Sequence, residues 1–173
     1  MAIPTPTRVV LLGLMGSGKT TAGELLAARA GWPALDNDTL LREVTGKSLN
    51  DVAALGADTL HDAERTILRH VLARPAPFVA GAAAAVVDEP GIVPLLHEAA
   101  FPVYLHVPPE ELVLRIGDDA DRPWLRPDPL AALTKMYAAR DPLYRKAAAF
   151  VADGTLEPQQ VADAIYAQLP RPL

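Results

Sequence analysis

The chain has 173 residues, no cysteine and a formal net charge of −5 at pH 7. Without cysteine it can form neither a disulfide nor a thiolate metal site, and its acidic balance argues against broad nucleic-acid binding. The start of the chain lacks a basic stretch followed by an apolar run, so no signal peptide is predicted. We expect a single domain over residues 1–173, cytoplasmic, without membrane contact and monomeric.

The first predicted elements surround a glycine-rich loop. Residues 7–12 are mostly apolar and β-branched, which predicts a buried strand, and residues 21–30 predict a helix that ends at Gly31. Between them, residues 13–20 read Gly-Leu-Met-Gly-Ser-Gly-Lys-Thr and fit the pattern G-x-x-x-x-G-K-[ST]. The order strand, loop, helix is the context that this pattern requires, so the segment predicts a binding site for the phosphates of ATP or GTP.

The residue types in this loop suit phosphate binding. Gly16 and Gly18 let backbone N–H groups approach an oxyanion without a Cβ in the way, and Lys19 adds a positive charge. The Thr20 hydroxyl suits Mg²⁺, and the following helix points its positive end at the phosphates. The expected nucleotide contacts are Gly13, Gly16, Ser17, Gly18, Lys19 and Thr20. The alternative is a glycine-rich turn with an ordinary lysine.

The rest of the chain alternates strands with helices. Further strands are predicted at residues 32–35, 78–80, 102–107 and 150–151. Helices are predicted at residues 38–45, with Asp38 as a possible N-cap, and at 50–73, 90–100, from 108 onward, 130–149 and 158–169. Residues 117–129 are polar and proline-rich, which is typical of a mobile lid. The alternation predicts a three-layer α/β/α fold around a five-stranded parallel sheet, with ligands at the carboxyl ends of the strands.

Five short motifs together resemble the shikimate kinase family, whose fold is that of the nucleoside monophosphate kinase-like P-loop kinases. The motifs are the loop at 13–20 with Thr21 after it, Asp-Asn-Asp at 36–38, residues 45–49, Arg-Pro-Trp-Leu at 122–125 and Arg-Asp-Pro-Leu-Tyr at 140–144. Their order and spacing resemble the family over nearly the whole chain. Gluconate kinases are similar around residues 36–38 but fit less well over residues 45–64. The resemblance implies ATP-dependent phosphoryl transfer to a hydroxyl of a small metabolite, with shikimate as the expected acceptor.

The resemblance implies roles for individual residues. Thr20 and Asp36 would hold Mg²⁺. Asp38 would accept hydrogen bonds from acceptor hydroxyls and orient or deprotonate the attacking one. Arg122 would neutralise charge on the transferring phosphoryl group, and Arg140 would bind the acceptor's carboxylate through a bidentate contact.

Further implied contacts concern the nucleotide. Thr21 and Arg122 would join the loop in binding ATP, and Lys19 would act in catalysis with Asp38 and Arg122. Arg115 matches a position near the adenine, and residues 153–158 match the loop that covers the base. Each role has a plainer alternative: a helix cap or a turn residue for the aspartates, and a solvated side chain for the arginines.

Two segments depart from the family pattern on the acceptor side. His61 lies where the family has an arginine that helps bind the carboxylate, and a histidine is only partly charged at neutral pH. The family's Gly-Gly-Gly after the third strand is matched only by Gly81, which Ala82 and Ala83 follow. An alanine forced to positive φ there would cost about 1 kcal/mol. We expect an acceptor site formed by Asp38, His61, Gly81, Ala82, Ala83 and Arg140 that is tighter and less attractive to anions.

Three functions remain open at this point. They are a shikimate kinase with a reworked acceptor site, a kinase for a different small polyol such as a cyclitol or sugar acid, and a non-catalytic nucleotide-binding module. The presence of Lys19, Thr20, Asp36 and Arg122 argues against the last, because these residue types serve phosphoryl transfer rather than binding alone.

Overall fold

A parallel β-sheet forms the centre of the protein. The computed structural model describes residues 4–117 and 122–173. The strands are β1 Arg8–Leu12, β2 Ala34–Leu35, β3 Phe78–Gly81, β4 Phe101–His106 and β5 Phe150–Asp153, in the order β2-β3-β1-β4-β5. The helices are α1 Lys19–Ala30, α2 Asn37–Thr45, α3 Leu49–Ala54, α4 Ala57–Leu72, α5 Ile92–Ala99, α6 Pro109–Ile116, α7 Pro129–Ala147 and α8 Pro158–Gln168. Short 3₁₀ turns occupy Ala84–Asp88 and Pro123–Leu125.

Helices cover both faces of this sheet because neighbouring residues of β1 face opposite sides. Val9 and Leu11 are fully buried against α1 and α8, in a cluster that includes Leu26 and Ile165. Val10 and Leu12 face the other layer, in a cluster with core residues of α4 to α7. Every strand pairing is parallel. The predicted three-layer α/β/α fold with a five-stranded parallel sheet is therefore confirmed.

Asp36, not Asp38, caps helix α2. The Oδ2 atom of Asp36 accepts hydrogen bonds from the Thr39 backbone N at 2.9 Å and from the Thr39 hydroxyl at 2.8 Å. Asp36 has the extended conformation that an N-cap requires, with φ −82° and ψ 128°, whereas Asp38 already lies in the first helical turn. The prediction of a cap at Asp38 was wrong because the helix begins immediately after the short strand β2.

The predicted helix over residues 50–73 is two helices. Helix α3 ends at Ala54, and Gly56 then adopts φ +114° and ψ 161°, a conformation that essentially only glycine tolerates. Ser48 and Asp51 form a capping box at the start of α3. The break turns α4 so that Ala63, Ile67 and Val71 pack under β3. The prediction of one continuous helix was wrong because apolar periodicity does not indicate the change of chain direction at Gly56.

The other boundaries differ by a few residues. Helix α5 begins at Ile92 rather than at residue 90, and α7 continues through Pro142 without ending. Of the predicted lid, residues 118–121 lie outside the described residues, and Leu125 is buried in the core next to α7. The mobility of residues 117–129 stays a prediction. Within the described residues, no helix combines the length and apolar character needed to cross a bilayer.

Candidate active site

The loop at residues 13–20, called the phosphate loop below, leaves the central strand β1 and enters α1. Its backbone is tightly constrained at two glycines. A Cβ on Gly13 would lie 2.7 Å from the Ser17 Oγ, and one on Gly16 would lie 2.9 Å from the Ile116 Cγ1. Both contacts are too short for a real side chain. The Ser17 Oγ is buried and has no hydrogen-bond partner within the part of the chain that the structure describes. The loop therefore has the geometry of a backbone cradle with an unsatisfied polar atom.

Lys19 lies folded onto this loop. Its Nζ donates hydrogen bonds to the carbonyl of Gly13 at 2.7 Å and to that of Leu14 at 3.0 Å. Burial, which is the larger effect, and the positive charge of Arg122 together lower the pKa of Lys19 to about 8. The structure thus brings the predicted catalytic cations Lys19 and Arg122 within electrostatic reach of each other. Two cations that repel each other are suited to receive an anion between them.

A cleft of about 380 Å³ opens on one side of the phosphate loop. One wall is formed by Gly16, Ser17, Gly18, Thr21 and Ala22, and the facing wall by Glu111, Arg115, residues 154–158 and Val161. Arg115 joins the elements of the facing wall, because its Nη2 donates to the Gly154 carbonyl at 2.7 Å and its Nε donates to the Glu111 carboxylate at 3.1 Å. The cleft has the size and position for a nucleotide base, and Arg115 is held at its wall by these two hydrogen bonds.

The predicted acceptor side lies across the loop, at the carboxyl end of β3. A Cβ on Gly81 would lie 3.5 Å from the Cβ of Lys19, so the strand end adjoins the phosphate loop. Gly81, Ala82 and Ala83 line a cavity of only about 10 Å³ together with Asn37 and Glu64. A volume of this size holds about one water molecule. A ring-sized acceptor therefore has to lie against the outer surface of this layer, not inside it.

The alanines after β3 are not strained. Ala83 has φ −62° and ψ 147°, and no residue other than glycine has a positive φ in residues 4–117 and 122–173. The expected strain energy of an alanine at positive φ is therefore absent. The chain accommodates alanine by continuing in an extended conformation and then forming the turn Ala84–Asp88.

Glu64 is a residue of this region that the sequence did not single out. Burial raises the pKa of Glu64 to about 7, and the nearby charge of Arg140 opposes that shift. Its Oε2 atom is buried and forms no hydrogen bond to the described residues. The available signal was its position at the end of the segment 56–64 that resembles the family, three residues after His61.

Arg140 is already paired with an acid of the protein. Its Nε and Nη2 lie 3.1 Å and 2.9 Å from the Oδ2 of Asp88. This contact was not predicted, because Asp88 is far from Arg140 in sequence. His61 is exposed on α4, and neither His61, Asp38 nor Arg140 lines the small cavity. Thr20, Asp36 and Asp38 are exposed at the carboxyl edge of the sheet, following β1 and β2.

Comparisons with known proteins agree with this arrangement. The family model described as shikimate kinase matches residues 15–170. Shikimate kinase of Neisseria gonorrhoeae is 35% identical over 148 residues, which cover 84% of this chain and 86% of that protein. Shikimate kinase of Burkholderia thailandensis is 38% identical over 145 residues, covering 83% and 78% respectively. The structure of a shikimate kinase from Acinetobacter baumannii in complex with shikimate has a TM-score of 0.85 at 28% identity, covering 94% of this chain and 92% of that one.

The lowered pKa of Lys19 predicts that ATP binding takes up a proton. Bound phosphate favours the charged amine and raises its pKa, so the complex holds more protons than the free protein between about pH 8 and the ordinary lysine value. At pH 8 we expect an uptake of about half a proton per ATP, and a loss of ATP affinity as the pH rises further. Calorimetry in buffers of different ionisation enthalpy measures this uptake.

Two variants isolate the Lys19 contribution. Lys19→Arg keeps the charge but does not titrate in this range, so its ATP-linked uptake at pH 8 should disappear. Lys47→Arg changes an exposed lysine and should leave the uptake as in the unmodified protein. Equal uptake in all three proteins would show that Lys19 is fully protonated before ATP binds.

Replacing Arg115 should affect nucleotide binding alone. Arg115→Met removes the bonds to Gly154 and Glu111 that join the walls of the cleft. Removing a charge-assisted hydrogen bond of this kind costs about 1.5–3 kcal/mol, so the KM for ATP should rise about 10-fold or more while the acceptor KM stays unchanged. Arg74→Met, which breaks the surface ion pair with Glu43, is the matched control. Steady-state kinetics with an unchanged ATP KM would place Arg115 outside the nucleotide site.

Proposed function

The chain belongs to the shikimate kinase family, and we propose that it transfers the γ-phosphoryl group of ATP to a hydroxyl group of shikimate. The observation that carries this proposal is the contact between donor and acceptor sides. Lys19 of the phosphate loop lies against Gly81, where the predicted acceptor segment begins. A phosphoryl group held by the loop therefore faces the strand end at which the acceptor would bind.

The donor half of the reaction depends on positioning and charge. Backbone N–H groups of the phosphate loop hold the phosphates, and the N-terminus of α1 directs its positive end towards them. Lys19 and Arg122 neutralise the negative charge on the transferring group, and their mutual repulsion in the free protein is relieved when that charge arrives. The charge stabilisation is thus prepared before the reaction begins.

Mg²⁺ fits the residues at the carboxyl edge of the sheet. Thr20 and Asp36 supply a hydroxyl and a carboxylate, the hard oxygen ligands that Mg²⁺ prefers, and both side chains are exposed. In the described residues no group of three or more His, Asp or Glu side chains could hold a metal. A site with few protein ligands suits Mg²⁺, because this ion retains several water ligands and is also bound by phosphate oxygens of the substrate. When bound, the ion supplies charge neutralisation at the phosphates.

The acceptor half requires a base and a group for the carboxylate. Asp38 lies exposed in the first turn of α2, two residues after the capping residue Asp36, and accepts the proton of the attacking hydroxyl. Arg140 is the guanidinium near Glu64 and binds the acceptor's carboxylate. Gly81, Ala82 and Ala83 form the surface that supports the ring. His61, exposed on α4, contributes at the rim.

The proposal includes the organisation of the protein. Residues 1–173 form one kinase domain, of which residues 117–129 act as the lid that carries Arg122 over the nucleotide. We expect a cytoplasmic monomer, because the family's small substrates require neither a membrane nor a second chain.

ADP release over a panel of acceptors tests the function. We expect saturable turnover with shikimate at sub-millimolar concentration, and phosphorus NMR should show one phosphate ester on the product. Myo-inositol and gluconate serve as the neutral cyclitol and the sugar acid. Turnover with either of these and not with shikimate would overturn the acceptor assignment. ATP binding without acceptor-dependent turnover, unchanged by Arg122→Ala, would indicate a non-catalytic module.

Variants of the two aspartates at the start of α2, Asp36 and Asp38, should affect different properties of the enzyme. Asp38→Asn removes the proton acceptor and should lower kcat by about 10²- to 10⁴-fold. Asp36→Asn keeps an efficient N-cap, so the free energy of unfolding should change little while the Mg²⁺ concentration needed for half-maximal rate rises. Asp58 is an exposed aspartate in the first turn of α4, and Asp58→Asn is the matched control. It should change neither kcat nor the Mg²⁺ concentration needed for half-maximal rate. An unaltered kcat in Asp38→Asn would exclude this residue as the base.

A further inference from the structure

The turn after β3 places a carboxylate on the arginine proposed to bind the acceptor. Asp88 closes the 3₁₀ turn Ala84–Asp88, and its Oδ2 accepts from both the Nε and the Nη2 of Arg140. The Arg140 side chain is only 16% exposed, whereas that of Asp88 is 46% exposed. The guanidinium fork that a substrate carboxylate would need is therefore occupied by an acid of the protein itself.

Asp88 is held in this place from both sides. At the start of the turn, the Tyr144 hydroxyl of α7 donates to the Ala84 carbonyl at 2.6 Å. Immediately after the turn, Glu89 pairs with Arg69 at 3.1 Å and with Arg65 at 3.6 Å, both on α4. These contacts fix the turn between the two helices. The ion pair of Asp88 with Arg140 is thus part of a positioned segment and not a chance contact of a loose side chain.

A second acidic side chain near Arg140 adds to the negative charge that Asp88 places there. Glu64 of α4 lies close enough for the charge of Arg140 to oppose the upward shift of its pKa. The residue one turn earlier on α4 is His61, and the guanidinium groups of Arg65 and Arg69 on the same helix pair with Glu89. Arg140 itself faces two acidic side chains, Asp88 and Glu64. An incoming carboxylate gains a charge-assisted contact with Arg140 only if it displaces Asp88.

We propose that Asp88 is a specificity-determining residue that competes with the acceptor's carboxylate for Arg140. This inference rests on the proposed function, in which Arg140 binds that carboxylate. The exchange is feasible because Asp88 is nearly half exposed and regains water when it is displaced. Acidic acceptors bear the cost of breaking the internal ion pair, and neutral acceptors do not. The residue therefore narrows the affinity difference between a hydroxy acid and its uncharged analogue.

Removing the carboxylate at position 88 tests the competition. Asp88→Asn and Asp88→Ser should each lower both the KM and the Kd for shikimate about 5-fold, which corresponds to about 1 kcal/mol. The KM for the methyl ester of shikimate, which carries no carboxylate, should stay unchanged. Asp88→Glu keeps an acid and should behave as the unmodified protein does. Glu43→Gln breaks an ion pair with Arg74 in which the carboxylate is about as exposed as that of Asp88, and it is the matched control.

Kinetics and calorimetry together decide the outcome. Thermal unfolding confirms that each variant is folded, and the two variants without the acid guard against a local change peculiar to either. Unchanged or weaker shikimate binding in both folded variants, or equal gains for the acid and its ester, would overturn the inference. Absence of turnover in the unmodified protein would overturn the proposed function alone, because calorimetric affinities for shikimate still decide the role of Asp88. Absence of measurable shikimate binding in every variant would overturn both.

Discussion

The complete burial of β1 between two helical layers fixes the position of every other functional element. Val9, Val10 and Leu11 have no exposed surface, and they pack alternately against α1 with α8 and against the layer of α4 to α7. Because β1 is the central strand, the phosphate loop emerges in the middle of the carboxyl edge. Strand β3 on one side then brings the acceptor segment, and β4 on the other leads towards the base cleft. Under the proposed function, the two substrates would meet over the end of β1.

The donor and acceptor sides of the site differ in how their positive charges are surrounded. On the donor side, Lys19 and Arg122 repel each other, and burial already disfavours the charged amine. An anion with several charges relieves both effects, which favours a polyphosphate over a singly charged ligand. On the acceptor side, Arg140 is neutralised by Asp88 before any ligand binds. Under the proposed function, nucleotide binding would relieve the repulsion between two cations, whereas acceptor binding would exchange one ion pair for another.

The sequence predicted best what is encoded in neighbouring residues. The phosphate loop was recognised because spacing within residues 13–20 determines its backbone, and the strand–helix alternation predicted the sheet. The cap at Asp36 and the break at Gly56 were missed because a shift of one or two residues leaves the hydrophobic pattern unchanged. The contact of Asp88 with Arg140 joins a turn to a distant helix, and only packing decides it. Glu64 acquires its raised pKa from burial, which a sequence does not display.

The charge balance around Arg140 also bears on what the acceptor's hydroxyls must contribute. Asp88 is bound to Arg140 directly, and Glu64 is largely neutral below its pKa of about 7 and negative above it. These three side chains together therefore offer a carboxylate no net positive charge at neutral pH. Under the proposed function, the binding energy for the acceptor would then come mainly from contacts of its hydroxyls with Asp38 and of its ring with the surface after β3. A site with that balance of charge would select acceptors by the pattern of their hydroxyl groups. It would recognise the acceptor's carboxylate only where that group replaces Asp88 on Arg140.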